Sequence, residues 1–479
     1  MSADILPFNP VLYPAPASTK WPINGDLSSL LTRFDRPGPR YTSYPTIDQC
    51  VESVGAAAFT DALKARCVGG LKRPLSLYVH VPFCESVCYY CACNKVVTKK
   101  HDRSTQYLNR LEKEALMVAR IAPTGLSPVT QFHMGGGTPT FLNDSELLGL
   151  VEGLKRVFPF SAKAEMSIEV DPRTVDENRL LHLRSLGFNR ISFGVQDFDP
   201  AVQKAVHREQ SVDSVSTLLN AARRWGFESI NVDLIHGLPK QTLRSFSTTL
   251  DRVIELSPDR LALYGYAHLP SRFKPQRRIH DADLPDAATR VMLLRMAIER
   301  MQAAGYEYIG MDHFAKPQDP LAVAKRQGRL HRNFQGYTTQ PDADLIGLGV
   351  SAISKVGNLL VQNVRELPEY EDRIGRGELA VFRGHEGTRE DSLRHAAIMA
   401  LLCQGEIHFS DFSQAFWIDF PQHFALELGL LRPFEDAGLL MLGPDGVRVT
   451  DLGWLFIRPM AMCFDAYAGR PQIERSKLL

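Results

Sequence analysis

From residue 75 onward the chain repeats one unit: a short β-branched or aromatic run, a loop, then a stretch of helical period. The runs are Leu75–Val81, Val129–His133, Met166–Val170, Arg190–Val195, Ser229–Ile235 and Arg260–Tyr266. Between them, Ser104–Arg120, Asp144–Val157, Val175–Leu186, Val212–Trp225 and Leu243–Leu256 carry apolar residues at helical spacing, with Ser104 reading as the N-cap of the first. Strands joined through helices lie parallel. The chain is therefore an α/β protein on a parallel sheet, either open and doubly wound or curved into a partial barrel. In both forms the C-terminal ends of the strands make one rim, where functional side chains are expected. Tyr78, the glycine triplet Gly135–Gly137, Glu169, Gln196, Asp233 and Ala267-His268 all fall there.

The flanks read differently. Residues 1–35 are rich in Pro, Ser and Asn and form an extended arm, followed by a proline-bracketed loop, Gly38–Thr46, and a helix over 55–68. After the barrel unit come a helix Ala287–Ala304, a last strand Tyr308–Met311 and a polar loop over 312–345. The tail carries helices near 388–403, 411–418 and 421–431. A hairpin pairs Leu439–Leu442 with Val447–Thr450, which together suggest a winged-helix-like cap. The expected domains are 1–71, 72–365 and 366–479.

Of 479 residues, 44% are apolar and 23% charged, with 55 Lys plus Arg against 54 Asp plus Glu. That balance excludes a bulk nucleic-acid or membrane-surface binder, and no run reaches the ~18 apolar residues of a membrane span. Pro7, Pro10, Pro14 and Pro16 break the only weakly apolar N-terminal stretch, so no targeting signal is read and a reducing cytoplasmic location is expected. No heptad is present, so the expected state is a monomer. In that compartment the eight cysteines serve as thiols or metal ligands. Cys84, Cys88, Cys91 and Cys93 lie within ten residues, while Cys50, Cys67, Cys403 and Cys463 are scattered and read as ordinary thiols. Three thiolates on one loop, spaced C-x3-C-x2-C, can ligate three irons of a four-iron cluster and leave the fourth open. The other readings are zinc, with Cys93 or His80 as fourth ligand, and an unligated thiol group. A structural zinc site usually pairs two C-x2-C knuckles, and the sequence has no second one.

This cysteine loop after the first strand resembles the signature of radical S-adenosylmethionine (SAM) enzymes. Further stretches narrow the resemblance to the oxygen-independent coproporphyrinogen III oxidase family. They are Gly38–Thr46, Tyr78–Cys84, Cys91–Lys95, Gly135–Thr140, Glu169–Arg173, Gly194–Asp197, Asp233–Gln241, Tyr266–Pro270, Gly310–Phe314 and Asn333–Tyr337. Heme-delivering relatives share the barrel motifs but lack Cys93-Asn94-Lys95 and Arg40–Tyr44. They remain the alternative on the same scaffold.

The resemblance implies a partial (β/α)6 TIM-like barrel with an N-terminal arm and a mainly helical C-terminal domain. It implies one [4Fe-4S] cluster on Cys84, Cys88 and Cys91, and two bound SAM molecules. Tyr78, Gly136, Glu169 and Ile353 match contacts of the first SAM. Tyr90, Gly137, Thr138, Gln196, Arg208, Asp233 and Ala267 match contacts of the second. The glycines are expected to let the backbone approach a methionyl group. Cys93 is a catalytic candidate or else a thiol beside the cluster loop. Arg40, Arg208, Lys95 and His268 are candidates for clamping substrate carboxylates. The implied reaction is oxidative decarboxylation of two propionates of coproporphyrinogen III to vinyl groups. It proceeds by a 5′-deoxyadenosyl radical from SAM, with a flavodoxin- or ferredoxin-like electron donor.

Overall fold

The computed structural model describes residues 27–68, 73–122, 127–340 and 343–469. It divides into two compact units. The larger comprises Gln49–Arg300 and Asp342–Gly387; the smaller comprises Met1–Asp48, Met301–Pro341 and Thr388–Leu479. These interleave along the chain, unlike the three consecutive segments expected from the sequence.

In the larger unit the six expected strands form: β1 (Leu75–Val81), β2 (Val129–Gly136), β3 (Phe160–Val170), β4 (Arg190–Gln196), β5 (Ser229–His236) and β6 (Arg260–Gly265). Four more follow: β7 (Asp344–Leu348), β8 (Ile353–Val356), β9 (Leu359–Asn363) and β10 (Val381–Glu386). Their order is β10-β9-β8-β7-β1-β2-β3-β4-β5-β6. The run from β7 to β6 is parallel, and β8, β9 and β10 are added antiparallel. Among the described residues β7 and β6 are not paired, so the barrel is incomplete. Strands β7–β9 were not expected because the run 344–363 breaks its short apolar stretches with Gly, Ser and Asn and carries no helix between its strands.

Alternation along these strands explains the curvature. Leu77, Val79, Phe132, Met134, Ile168, Phe193, Val195 and Val232 are fully buried, or nearly so. Their neighbours Tyr78, His133, Ser167, Glu169, Ser192, Gln196, Asn231 and Asp233 are half-buried. One face takes the hydrophobic cover of the helices, and the other is a polar, partly open interior. The helices begin where side chains satisfy their free N–H groups. Asn143 and Glu146 form a capping box before Asp144–Val157, and Thr242 pairs with Ser245 before Leu243–Leu256. Ser104 is not an N-cap. Its helix runs Asp102–Ile121, and its buried hydroxyl donates instead to Glu146 Oε1 at 2.7 Å. Helix Ala56–Ala65 packs against β9 and Asp102–Ile121.

In the smaller unit, residues 1–26 of the expected arm lie outside the described residues, but Leu27–Phe34 is a helix. Leu30, Leu31 and Phe34 recur at helical spacing, where an extended arm was expected. Phe34 stacks on Phe434 at 4.3 Å. The polar loop expected over 312–345 instead holds strand His313–Ala315, helix Pro320–Arg326 and the antiparallel pair His331–Asn333 and Gly336–Thr338. The expected hairpin forms, Leu440–Leu442 with Gly446–Val449, and gains a third strand, Glu406–His408. Helices Arg389–Gln404, Phe409–Phe416 and Ala425–Asp436 surround it. Among the described residues no helix is long and apolar enough to cross a membrane.

Candidate active site

At the end of β1 the chain turns into the cysteine loop, and each thiol has its own polar support. Cys84 Sγ accepts from Thr138 Oγ1 at 3.5 Å, while burial pushes the thiol up to about 11. Cys88 Sγ faces two guanidinium groups, Arg208 Nη1 at 3.4 Å and Arg173 Nη2 at 3.6 Å. Cys91 is held below the ordinary thiol range by a hydrogen bond from Cys93 and by the nearby Lys95. Cys93 is raised as the donor of that bond. Among the described residues no three His, Cys, Asp or Glu side chains gather closely enough to hold one metal ion. A four-iron cluster takes one thiolate per iron, and three thiols on one loop, each with its own polar support, can supply three of them. The donor set fits the cluster.

The triplet on β2 is tight for reasons internal to the fold. A Cβ on Gly135 would meet the Glu169 carboxylate at 2.9 Å, and one on Gly137 would meet the Pro82 and Phe83 backbone at 2.7 Å. Gly136 has φ +109° and its Cβ would strike the His80 ring at 2.5 Å. Glycine is thus required at these three positions by the packing of the protein itself.

Register sets a polar row across the interior. Tyr78 opposes His133, His133 opposes Ser167, Glu169 opposes Ser192, and Gly194 opposes Asp233. Tyr78 stacks on His133 at 5.9 Å. His80 Nε2 donates to the Asn94 carbonyl at 2.9 Å, so Nδ1 accepts from the Tyr78 hydroxyl at 3.1 Å. Burial holds His80 below its ordinary value, so its ring is neutral. His133 Nε2 donates to Glu169 Oε1 at 3.3 Å and Nδ1 accepts from Ser167 Oγ at 2.6 Å. Burial pushes the Glu169 carboxyl up, but His133 and the Gly136 N–H reverse this and hold it low. Glu169 is thus an ionised acceptor, 47% exposed to the interior. Asp233 is pushed up to about 6 by burial, against the hydrogen bonds from Ser192 and Asn231. His133, Ser167, Ser192 and Asn231 were missed in the sequence. Their signal was polar residues at every second position of strands that otherwise read as fully apolar.

The remaining expected residues are placed as follows. Arg208 binds the Gly194 carbonyl through Nε at 3.0 Å and Asp171 Oδ2 through Nη1 at 3.1 Å. Its guanidinium is committed to anchoring the Cys88 loop. Asp171 also caps the turn Pro172–Thr174. Gln196 adopts the left-handed region, φ +72°. Tyr90 is half-buried against the apolar cluster that includes Val206, Ile235 and Tyr266, and its carbonyl, like that of Ala267, accepts from Gln276 Nε2. Ile353 opens β8, its backbone so close to Gly347 that a Cβ there would lie 2.3 Å from the Ile353 carbonyl. Two clamp candidates are already engaged: Lys95 Nζ donates to the Cys91 carbonyl at 3.2 Å, and His268 Nε2 to Asp281 Oδ1 at 3.0 Å. Arg40 belongs to the smaller unit, 3.8 Å from Asp312. Cys50, Cys403 and Cys463 are buried, and Cys67 is half-buried.

The family model for the radical SAM superfamily matches residues 78–253, and that for the HemN C-terminal domain matches 388–456. Oxygen-independent coproporphyrinogen III oxidase of Salmonella typhimurium is 49% identical over 446 residues, 93% of this chain and 96% of its own length. The Pseudomonas aeruginosa protein of the same name is 47% identical, covering 94% and 97%. The solved structure of Escherichia coli coproporphyrinogen III oxidase (HemN), described as a radical SAM enzyme, superposes with a TM-score of 0.87. It is 48% identical and covers 92% of this chain and 99% of that one. With a partial barrel, a supported three-thiol loop and these likenesses over nearly its whole length, the chain belongs to the oxygen-independent coproporphyrinogen III oxidase family of the radical SAM superfamily.

Proposed function

We propose that the chain converts two propionate side chains of coproporphyrinogen III to vinyl groups without oxygen, with Cys84, Cys88 and Cys91 as the protein ligands of a [4Fe-4S] cluster. The observation that carries the reading is the separate polar support of each thiol: Thr138 for Cys84, two arginines for Cys88, and Cys93 with Lys95 for Cys91. At Cys91 these donors favour the thiolate, the form that binds iron, while at Cys84 burial outweighs the Thr138 donor. When bound, the cluster supplies the electron that cleaves SAM reductively and so yields the radical that takes a hydrogen from the propionate β-carbon.

The chain's own side chains orient and shield. Tyr78, Gly136, Glu169 and Ile353 bound the first SAM position. Glu169, ionised and locked by His133, is suited to accept from ribose hydroxyls. A second SAM position is bounded by Tyr90, Gly137, Thr138, Gln196, Arg208, Asp233 and Ala267. Arg208 enters it only by sharing donors already given to Gly194 and Asp171. Neutral His80 fixes the Tyr78 hydroxyl and cannot protonate a thiolate nearby. Cys93 tunes Cys91 by its hydrogen bond. A catalytic domain over 72–365, a low-potential flavodoxin- or ferredoxin-like donor, a monomer and a cytoplasmic location complete the reading. The test is anaerobic incubation of iron-loaded protein with SAM, a reductant and coproporphyrinogen III, followed by chromatography of the porphyrins. Divinyl product supports the reading; recovery of the tetracarboxylate alone refutes it.

A further inference from the structure

Three stretches singled out in the sequence have no task in the site above: Gly38–Thr46, Gly310–Phe314 and Asn333–Tyr337. All three meet inside the smaller unit. Their common point is Asp312, whose side chain is 12% exposed and lies 3.8 Å from Arg40 Nη1. Burial would push this carboxyl up, but Arg40, Arg332, His313 and Arg458 together reverse that and hold it low. The glycines of the motifs let the pieces touch. A Cβ on Gly310 would lie 2.6 Å from the Tyr337 hydroxyl oxygen, and one on Gly336 would lie 3.1 Å from His313 Nε2. Arg332 stands opposite Tyr337 in the strand pair, its guanidinium 4.8 Å from that ring's centre. Tyr337 is fixed in turn by its hydroxyl, which donates to the Leu402 carbonyl at 2.7 Å.

Arg40 and Arg332 act on Arg458, and so do the carboxylates of Asp312 and Asp35. Arg332 is 8% exposed, and its Nε and Nη1 are buried without a hydrogen-bond partner; so is Asp312 Oδ2, which neutralises through space only. A buried guanidinium with open donors is costly unless an anion completes it, and a carboxylate matches its fork. Arg40, its side chain 35% exposed, is the open edge of the group.

We infer that this arginine cluster is a carboxylate-binding site: Arg332 and Arg458, with Arg40 at its exposed edge, receive a propionate of the tetrapyrrole substrate. The inference rests on the proposed reaction for its ligand, and Asp312 serves as the internal counter-ion that holds the arginines in place while the site is empty.

The test uses anaerobic, iron-loaded protein, with iron content and thermal midpoint recorded for every variant. Coproporphyrin III, the stable oxidised form with the same carboxylates, is titrated by fluorescence, and turnover of coproporphyrinogen III is measured in parallel. Arg332→Gln and Arg458→Gln each raise Kd and KM about tenfold or more, the effect of losing one charge-assisted hydrogen bond. In the same variants kcat at saturation changes less than about threefold, and Arg332→Lys recovers part of the affinity. Asp312→Asn, of equal size, removes a competing anion and lowers the Kd for coproporphyrin III. Kd and KM within about twofold of the parent in both glutamine variants overturn the site. If those variants do not fold, Asp312→Asn decides alone: unchanged or weakened binding overturns it. Arginine-dependent binding of coproporphyrin III without any conversion of coproporphyrinogen III would instead retain the site and remove the reaction.

Discussion

Replacing Glu114 by Gln should change the stability of the larger unit in a pH-dependent way. Glu114 sits in the middle of helix Asp102–Ile121, fully enclosed. It accepts from the Gly349 N–H at 2.7 Å, the Tyr370 hydroxyl at 2.8 Å and Asn363 Nδ2 at 2.7 Å. Beside it the Tyr107 hydroxyl donates to the His80 carbonyl at 2.6 Å and accepts from the Val350 N–H at 3.1 Å. The pair ties the end of β1 to the turn after β7. Burial, against these hydrogen bonds, raises the carboxyl from 4.5 to about 7. Between those values the folded chain holds a proton that the unfolded chain has released, so the native state loses stability as pH rises from 4.5. The full cost, about 3 kcal/mol, is present above pH 7. Between about pH 5.5 and about pH 8.5 the loss amounts to about 2 kcal/mol. Glutamine has one acceptor oxygen for three donors, so at the lower pH the variant is less stable by about 1–2 kcal/mol. Its amide does not ionise. The deficit should therefore shrink by about 2 kcal/mol, vanishing or reversing at the higher pH. Anaerobic urea unfolding of both proteins at the two pH values measures it, other titrations cancelling in the difference. A deficit that stays constant across that range refutes the reasoning.

Substituting Ala for Cys84, Cys88 or Cys91 should abolish bound iron and turnover, whereas Cys93→Ser should keep most of the cluster absorbance; iron analysis separates them. Glu169→Gln should lower SAM cleavage measured without porphyrinogen, while Asp233→Asn should leave that cleavage measurable and lower vinyl product. Equal loss in both would remove the division into two SAM positions. Gly137→Ala should lower the thermal midpoint by several degrees, because its Cβ would lie 2.7 Å from rigid backbone and overpacking costs about 1–3 kcal/mol. Gly149→Ala, on helix Asp144–Val157 with nothing within 4 Å, should be neutral or stabilising by about 0.5–1 kcal/mol.

The barrel strands were legible because each is a short β-branched run closed by turn residues, and because the helices between them announce themselves by period and caps. Strand β1 and helices Asp144–Val157 and Leu243–Leu256 have the bounds expected from the sequence. Misreadings arose where tertiary contacts outrank local pattern. Ser104 looks like a cap in isolation, but Glu146 on the next helix claims its hydroxyl. The stretch 312–345 looks like a loop because its strands are three residues long, too short to show alternation, and become ordered by partners distant in sequence.

The thiol loop was legible from spacing alone, since Cys84, Cys88 and Cys91 stand close enough in the chain to be delivered together from one turn. What surrounds it was not. Glu114 shares the apolar face of its helix with Leu111, Ala115 and Val118, but that period names no partner for a carboxylate. Only the fold, by bringing Gly349, Asn363 and Tyr370 to its carboxylate, makes it a buried acceptor. The same holds for Arg332, one of many arginines until the hairpin lays it over Tyr337 beside Asp312. A buried charge is defined by its neighbours, and these neighbours are scattered over the chain. A sequence therefore discloses a site best where its ligands are contiguous, and least where the site is a balance of charges assembled from separate segments. In this chain the cysteine loop is contiguous, whereas the polar interior and the arginine group are assembled from separate segments.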